Sequence, residues 1–539
     1  MRRPAGRAVD LLLTGGRIFT GNPRQPRAEA IAVRANRIVA VGSAAGLSNL
    51  SGRGTRVVDL AGRFACPGFI DCHVHLLMAG LSLTRAALTG CDSREALIEK
   101  LRERASSLPE GAWLLGRGWD QERLGGVWPR REWLDEAFGE LPVLLYRVDG
   151  HVAWASSAAL RIAGIGETTT APRGGEIVRD ESGQPTGILK ETAAGLVEAH
   201  VPPPSAAERR EALEAALGEL RLHGVTSVHE LSPPGALKTF RELHEEGRLT
   251  ARISAWARLE ENLSAAEELR ERFAPTDPMI RCDTLKTYLD GTLGAYTAAM
   301  IEPYADNPAT SGAMQWEEEE LAHAMRRAHR SGFQLALHAI GDRAVHVALS
   351  ALDGLGGAAR ARRHRIEHAE VVSAGDIPRF LSVGAVASMQ PSQLLSDGAW
   401  LQKRLGEKRL ARAFPWRSLV DQGTPVILGT DWPVEPLDPL RTLYGATAPV
   451  EFPRQASDSD GGLSWAAARQ LEVAEALTAM TVAAAWASFE ENIKGVLMAG
   501  HLADIVVLSA DPFSAPPEEI PGIEIDMTVF DGRVVHSRE

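Results

Sequence analysis

The chain has 539 residues, 45% of them hydrophobic and 24% charged, and its formal net charge is −12. This length suits one large domain and a smaller one, and the composition is typical of a globular protein. The acidic balance and the lack of a basic stripe argue against nucleic acid or an anionic membrane surface as a partner. No run of about 18 apolar residues is present to span a membrane.

The cysteines and the first apolar run bear on the cellular compartment. None of the four cysteines has C-x-x-C spacing, which predicts reduced thiols (Cys66, Cys72, Cys91 and Cys282). The run Leu11-Leu12-Leu13 is too short for the core of a signal peptide. We therefore expect a cytoplasmic protein.

The sequence pattern of residues 1–65 is typical of short strands with tight turns. Leu11-Leu12-Leu13 and Ile18-Phe19 flank Gly15-Gly16, a pattern typical of a hairpin. Two further strands are expected at residues 30–33 and 37–42. Because no helix-length periodic segment interrupts these strands, this part of the chain predicts a small all-β layer.

Residues 486–539 have the same character. The apolar run 505–508 predicts one strand, and the strands 527–530 and 533–535 flank Asp531-Gly532, a strong hairpin turn. Neither end of the chain has enough strand to bury a sheet face alone. We expect the two ends to form one small β-sandwich, with a large domain of residues 66–485 inserted between them.

The middle of the chain alternates helices with short apolar strands. Ser205-Ala206-Ala207-Glu208 is a capping box that begins a helix running to His223, and Gly224 ends the helix before an apolar strand. The same order recurs three times, with predicted helices at residues 317–331, 377–383 and 409–422. Such units predict parallel strands joined by helical crossovers. An open doubly wound sheet would also alternate, but only a closed (β/α)8 barrel brings such distant strand ends to one point.

Two stretches depart from this alternation. Residues 110–200 are rich in Trp, Gly and Arg, with the segment Gly116-Arg117-Gly118-Trp119-Asp120-Gln121 as an example. We expect them to form a long insertion after the first barrel strand and a lid over the site. Residues 433–462 are a second irregular stretch near the same end of the barrel.

Polar residues at the predicted strand ends are candidate metal ligands. His73 and His75 follow the apolar Phe69-Ile70, and alternation along a strand makes both face the same way. Two neutral imidazoles on one face supply half of a metal site. Glu367 is expected to face away from the site. Further candidates close later strands, although each also has a structural interpretation as a core, turn or salt-bridged residue (Lys286, His338, His368 and Asp431).

This set of residues resembles the ligand set of the amidohydrolase superfamily. That superfamily has His-x-His on the first barrel strand, Lys on the fourth, His on the fifth and sixth, and Asp on the eighth. Other segments resemble the branch called amidohydrolase family 3, at residues 185–189, 290–294, 338–342 and 429–433. The resemblance covers nearly the whole chain and implies a distorted (β/α)8 TIM barrel plus a β-sandwich formed by both termini.

The resemblance also implies a cofactor and its ligands. It implies a divalent metal, one or two ions with zinc preferred, held by His73, His75, Lys286, His338, His368 and Asp431. A lysine ammonium has no lone pair for a metal, and the family implies a Lys286 carboxylated by CO2. The alternative is an unmodified lysine and a single metal. His151 and Asp290 lie in family-like segments and are predicted substrate contacts, with the structural alternative of a turn residue for Asp290.

The resulting functional prediction is a metal-dependent amidohydrolase that cleaves a non-peptide C–N bond with metal-activated water. Asp431 is the predicted catalytic residue, taking the proton of the attacking water and passing it to the leaving amine. The substrate would be an N-acyl, N-formyl or cyclic amide, and a homodimer is left open. The alternatives are an esterase or lactonase, a carbonyl isomerase, or a catalytically inactive binding scaffold.

Overall fold

The strands of the computed structural model, which describes residues 8–109, 111–260, 262–450 and 469–538, form four sheets. The N-terminal strands are β1 (Leu11–Thr14), β2 (Arg17–Phe19), β3 (Arg27–Ala28), β4 (Ala30–Arg34), β5 (Arg37–Gly42), β6 (Arg56–Asp59) and β7 (Phe64–Pro67). They are followed by β8 (Phe69–Val74), β9 (Ala86–Ala87), β10 (Leu114–Trp119), β11 (Val143–Arg147), β12 (Val152–Ala155), β13 (Gly175–Arg179) and β14 (Pro185–Glu191). The remaining strands are β15 (Val225–Leu231), β16 (Arg252–Arg258), β17 (Ile280–Tyr288), β18 (Gln334–Ala339), β19 (Arg365–His368), β20 (Val386–Met389), β21 (Val426–Leu428), β22 (Ile505–Leu508), β23 (Ile525–Phe530) and β24 (Arg533–Ser537).

The helices lie mainly between the strands of the large domain. The first nine are α1 (Ala44–Leu47), α2 (Leu76–Thr84), α3 (Arg94–Ala105), α4 (Arg131–Phe138), α5 (Ser157–Ile162), α6 (Gly195–Glu198), α7 (Ala206–Leu222), α8 (Pro234–Glu245) and α9 (Ser264–Arg272). The others are α10 (Glu318–Arg330), α11 (Asp342–Asp353), α12 (Ile377–Val383), α13 (Pro391–Leu405), α14 (Glu407–Leu410), α15 (Trp416–Asp421), α16 (Pro439–Thr447), α17 (Val473–Ala479) and α18 (Val482–Ala487). Within the described residues, no helix combines the length and the apolar character needed to cross a bilayer.

The two ends of the chain form a β-sandwich. One sheet has the strand order β5-β4-β1-β6, and the other has the order β24-β23-β22-β7-β2-β3, which mixes N-terminal and C-terminal strands. Leu11, Leu13, Ile505 and Val507 belong to one buried cluster between the sheets. The predicted composite sandwich is therefore confirmed, and β23 and β24 form the predicted hairpin around Asp531-Gly532.

The predicted hairpin between Leu11-Leu12-Leu13 and Ile18-Phe19 is wrong. Strand β1 pairs with β4 and β6, whereas β2 pairs with β3 and β7 in the other sheet. Gly15 has φ +70°, and a Cβ on Gly16 would lie 2.5 Å from a methyl carbon of Leu60. The two glycines thus carry the chain from one sheet to the other, because both sheets are needed to bury the shared core.

The large domain is the predicted (β/α)8 barrel. Its parallel strands have the order β21-β20-β19-β18-β17-β16-β15-β8. The ends of the ladder meet at a parallel bridge between Val74 and Trp432, where the Asp431 N–H donates to the His73 carbonyl oxygen at 2.8 Å. The closed ring places all eight carboxyl-terminal strand ends at one rim, which is where such barrels carry their chemistry.

The helices around the barrel follow the sequence signals with one exception. The capping box at Ser205 and Glu208 is formed, and α7 ends before Gly224, which has φ +72°. The predicted helix at residues 409–422 is instead divided into α14 and α15. Pro415 stands at the N-cap of α15, because proline has no N–H for a helix interior and begins a helix rather than continuing one.

The insertion after the first barrel strand is more ordered and longer than predicted. Its strands form a sheet with the order β13-β14-β12-β11-β10-β9, which begins at Ala86 rather than near residue 110. Trp119 and Trp154 are fully buried in its core. The second irregular stretch contains α16, and residues 451–462 of it lie outside the described residues.

Candidate metal centre and the cavity above it

The six predicted metal ligands lie together at the carboxyl-terminal rim of the barrel. Strand β8 carries His73, and His75 follows that strand directly. Strands β17, β18 and β19 carry Lys286, His338 and His368, and Asp431 follows β21 after two residues. Five strands thus contribute to one group of side chains, as the sequence predicted.

The centre of this group consists of His73, His368 and Asp431, which offer ligand atoms within 4.8 Å of one another. The Asp431 carboxylate lies between histidines on both sides. Its Oδ1 is 3.2 Å from His75 Nε2 and 3.7 Å from His73 Nε2, and its Oδ2 is 4.0 Å from His368 Nδ1. This spacing places nitrogen and oxygen atoms around one small space.

Lys286 and His338 border the same space. Lys286 Nζ lies 3.2 Å from His73 Nε2. The His338 ring centroid is 4.5 Å from that of His368, and His338 Nε2 lies 3.2 Å from the carbonyl oxygen of Gly291. Both side chains are almost completely buried.

Glu367 orients the first histidine, a contact that the sequence analysis missed. Its Oε2 lies 2.7 Å from His73 Nδ1, and Arg365 Nε donates to Glu367 Oε1 at 2.8 Å. A carboxylate on Nδ1 fixes the tautomer in which Nε2 keeps its lone pair for a cation. The prediction that Glu367 faces away from the site is wrong, because Arg365 and Glu367 share the inner face of β19. His368 reaches the rim through a left-handed backbone with φ +71°.

Asp71 fixes the segment that carries Asp431. Asp71 Oδ1 accepts the backbone N–H of Thr430 at 2.9 Å, and Asp71 Oδ2 accepts the Thr430 hydroxyl at 2.6 Å. A Cβ on Gly429 would lie 2.7 Å from Asp71 Oδ1, so glycine permits this close approach. Burial raises the pKa of Asp71 to about 7. This residue also was absent from the predicted site, since nothing in the local pattern pairs Asp71 with Thr430.

The predicted substrate contacts His151 and Asp290 occupy different environments. His151 belongs to the insertion, and its ring centroid lies 5.1 Å from that of His338. Its Nδ1 is 2.8 Å from Glu191 Oε2, and although burial opposes it, Glu191 raises the pKa of His151 to about 9. Asp290 follows the end of β17 and is fully buried, with Oδ1 3.7 Å from His338 Nε2.

The Asp290 carboxylate supports neighbouring backbone. It accepts N–H groups from Ile340 at 3.0 Å, Gly341 at 2.8 Å and Ala299 at 2.9 Å. Asp290 is not among the residues that line the cavity described next. A contact between Asp290 and substrate therefore stays a prediction, and the observed hydrogen bonds favour the structural alternative.

A cavity of about 1500 Å³ opens directly above the ligand group. Its floor includes His73, His338, His368 and Asp431. The other lining residues include parts of the insertion and of the chain that follows β19, β20 and β21. The insertion therefore borders the site, and its role as a lid stays a prediction.

Comparisons with known proteins agree with this arrangement. Residues 56–536 match the amidohydrolase family. The chain belongs to the amidohydrolase family. It is 36% identical to the protein LONG AFTER FAR-RED 3 of Arabidopsis thaliana, over 94% of this chain and 88% of that protein. It is 32% identical to the protein YtcJ of Bacillus subtilis, over 97% and 99%.

Two further relatives carry chemical descriptions. An N-substituted formamide deformylase of Arthrobacter pascens is 26% identical over 98% of both chains. The crystal structure of an uncharacterized metal-dependent hydrolase from Pyrococcus furiosus superposes with a TM-score of 0.71 and 31% identity, covering 94% of this amidohydrolase and all of that chain. With the family match, these similarities identify the chain as a metal-dependent hydrolase.

The ligand group of this amidohydrolase suits a divalent cation. Burial lowers the pKa of His73, His338 and His368 well below the usual value, so their imidazoles are neutral and keep a lone pair. Among the described residues, His368 Nδ1 and Asp431 Oδ1 are buried without a hydrogen-bond partner. Because a buried polar atom without a partner costs free energy, a cation among these atoms accounts for their arrangement.

Proposed function

We propose that this amidohydrolase cleaves a non-peptide C–N bond in an N-acyl, N-formyl or cyclic amide, with water as the nucleophile. The observation that carries the proposal is the pair of buried, unpartnered ligand atoms, His368 Nδ1 and Asp431 Oδ1, on the cavity floor. The similarity to an N-substituted formamide deformylase along 98% of the chain supports the choice of bond.

The cofactor in this proposal is a divalent metal, one or two ions, with zinc as the preferred ion. His73, His75, His338, His368 and Asp431 would hold it, since zinc favours imidazole and carboxylate ligands. When bound, the metal would polarise the scissile carbonyl and lower the pKa of water to about 7.

Lys286 would contribute as a carboxylated side chain. Its neutral amine would form an N–C bond to CO2 and release one proton, which converts a cation into an anionic ligand. Burial lowers the pKa of Lys286 to about 8, which increases the fraction of reactive neutral amine at neutral pH. The distance of 3.2 Å from Nζ to His73 Nε2 puts the modified group beside the histidines.

Asp431 would move the protons of the reaction. Although burial opposes it, His75 and Lys286 help to lower the pKa of Asp431 below its usual value, so the carboxylate is ionised and can accept a proton. Oδ1 would take the proton of the attacking water and deliver it to the leaving nitrogen. His151, which lines the cavity and is charged through its contact with Glu191, would hold the substrate carbonyl oxygen.

The test combines metal analysis with a substrate panel. Purified protein is assayed with N-formyl, N-acyl and cyclic amides and with esters of the same acyl groups, before and after treatment with a chelator. The proposal requires bound metal, hydrolysis of at least one amide in preference to its ester, and loss of activity on chelation. Activity that survives complete removal of metal, or hydrolysis of esters alone, would contradict it.

A further inference from the structure

Arg117 is held in an unusual position on the insertion wall of the cavity. It lies in β10 between Gly116 and Gly118, and the pairing of β10 with β11 shifts register between Arg117 and Trp119. Gly118 has φ +100°, and a Cβ at that position would collide with Thr89. The irregularity follows Arg117, which keeps its register opposite Tyr146 and lines the cavity together with Leu115 of the same strand face.

The guanidinium of Arg117 has almost no partners in the described structure. Only 8% of the residue is exposed. Nη2 donates to the carbonyl oxygen of Val148 at 2.6 Å, whereas Nη1 is buried without a hydrogen-bond partner. Among the described residues, no carboxylate lies within ion-pair distance of it. Four of its five N–H groups are therefore free.

The two carboxylates that act on Arg117 most strongly are engaged elsewhere. Asp149 Oδ2 accepts Arg147 Nη1 at 2.6 Å and the Thr292 hydroxyl at 2.7 Å, and Asp149 Oδ1 accepts the His151 N–H at 3.1 Å. Asp431 belongs to the ligand group on the cavity floor. Neither carboxylate forms an ion pair or a hydrogen bond with Arg117 in the described part of the chain.

A buried arginine differs from a buried carboxyl group because it cannot neutralise itself. Burial lowers the pKa of Arg117 only to about 10, so the side chain is charged at neutral pH. A buried charge without a counter-ion is costly. Arg117 is therefore a buried charge on the cavity wall without a counter-ion among the described residues.

We infer that Arg117 binds a carboxylate of the substrate, so that the substrate class is an amide whose acyl or amine part carries a carboxylate. The planar guanidinium presents paired N–H groups that match the two oxygens of a carboxylate. This inference rests on the proposed function for the identity of the bond cleaved, but the carboxylate contact can be tested without cleavage.

The decisive experiment uses two probes that contain no hydrolysable bond, 3-phenylpropanoate and 3-phenylpropan-1-ol. Their binding to metal-loaded protein is measured by calorimetry. We expect the carboxylate to bind at least about tenfold more tightly than the alcohol, as a charged hydrogen-bonded pair provides. Arg117→Gln should remove this preference, and Arg117→Lys should restore part of it.

A matched control separates this contact from the general charge of the cavity. Arg123 also lines the cavity but is exposed, so Arg123→Gln should keep the preference. Because Arg117→Gln also loses the hydrogen bond to the Val148 carbonyl oxygen, its thermal unfolding is measured beside that of Arg117→Lys, which keeps the charge; a carboxylate preference in Arg117→Lys no greater than in Arg117→Gln counts against the inference. Equal binding or no binding of the two probes to the wild type overturns it, as does a preference that survives in Arg117→Gln.

The hydrolysis of two matched substrates then tests the role of Arg117 independently of the binding probes. N-formylphenylalanine and N-formylphenethylamine differ by one carboxylate, and Arg117→Gln should raise KM for the first alone. Hydrolysis of both with equal kcat/KM by the wild type contradicts the inference. Failure to hydrolyse these and all other amides contradicts the proposed function, while the result with the two non-hydrolysable probes decides the role of Arg117.

Discussion

Two buried clusters of polar side chains in this amidohydrolase differ in how completely their atoms are paired. At the junction of barrel and sandwich, Arg252 is 1% exposed. It donates to Asp504 Oδ2 at 2.7 Å, to Asp504 Oδ1 at 3.0 Å and to Asp531 Oδ1 at 2.8 Å. At the rim, His368 and Asp431 are buried to a similar extent, but His368 Nδ1 and Asp431 Oδ1 have no hydrogen-bond partner among the described residues. Burial is common to both clusters, and they differ in the hydrogen-bond partners that their buried atoms have among the described residues.

The largest effect should follow from changing the proton acceptor of the unpaired cluster. Asp431→Asn should lower kcat by about a thousandfold or more, because an amide cannot accept the proton of the attacking water. The unfolding free energy should change by no more than about 1 kcal/mol, because Asn keeps the shape of the side chain and an oxygen that can accept the hydrogen bond of Gln393 Nε2, now 3.3 Å from Oδ2. Steady-state kinetics and metal analysis check this, and turnover at the wild-type rate would remove Asp431 from its role.

Breaking the paired cluster should cost stability and leave catalysis intact. Asp504→Ala leaves Arg252 with an incompletely compensated buried charge, and we expect a loss of about 3 kcal/mol in unfolding free energy. Urea denaturation measures the loss, with Asp504→Asn as the variant that keeps the side-chain shape. An unchanged midpoint for Asp504→Ala would show that pairing does not distinguish the two clusters.

Changing the residue that orients His73 should have a smaller effect on the metal. Glu367→Gln keeps the size of the side chain but removes the charge that fixes the His73 tautomer, so metal affinity should fall by about 10- to 100-fold. Competition with a chromogenic chelator measures the affinity. Wild-type affinity in this variant would mean that the contact of 2.7 Å between Glu367 and His73 has no bearing on metal binding.

The smallest effect is expected at an exposed ion pair on the cavity edge. Arg173 contacts Glu317 at 3.1 Å and Glu320 at 3.0 Å, but its side chain is 55% exposed. Because exposed pairs contribute less than about 1 kcal/mol, Arg173→Gln should unfold nearly as the wild type does. A loss as large as that of Asp504→Ala would contradict the importance assigned to burial.

Much of the barrel and the strand-end positions of the candidate ligands could be predicted, because the spacing of apolar residues and the glycines that end helices are local signals. Gly224 ends α7 as its position predicts, and the strands that follow such glycines end on polar residues. The resemblance to a known family then grouped residues that are far apart in the chain, such as His73 and Asp431. In the structure these two residues are neighbours because the bridge between Val74 and Trp432 closes the barrel.

The remaining features depend on contacts that a local pattern does not contain. Strand β2 pairs with β3 and β7 in the second sheet, and the turn at Gly15 does not reveal this pairing. Glu367 was misplaced because His368 leaves the strand alternation with φ +71°. The insertion sheet starts at β9, a strand of two residues that carries no periodic signal of its own.

The proposed chemistry depends on a metal held by the rim cluster of His73, His368 and Asp431. Anomalous diffraction from crystals of metal-loaded protein, recorded at the absorption edge of the bound ion, tests this directly. We predict the strongest peak about 2.0–2.2 Å from His73 Nε2 and from an Asp431 oxygen. A strongest peak at any other place in the molecule, with none among these side chains, would contradict it.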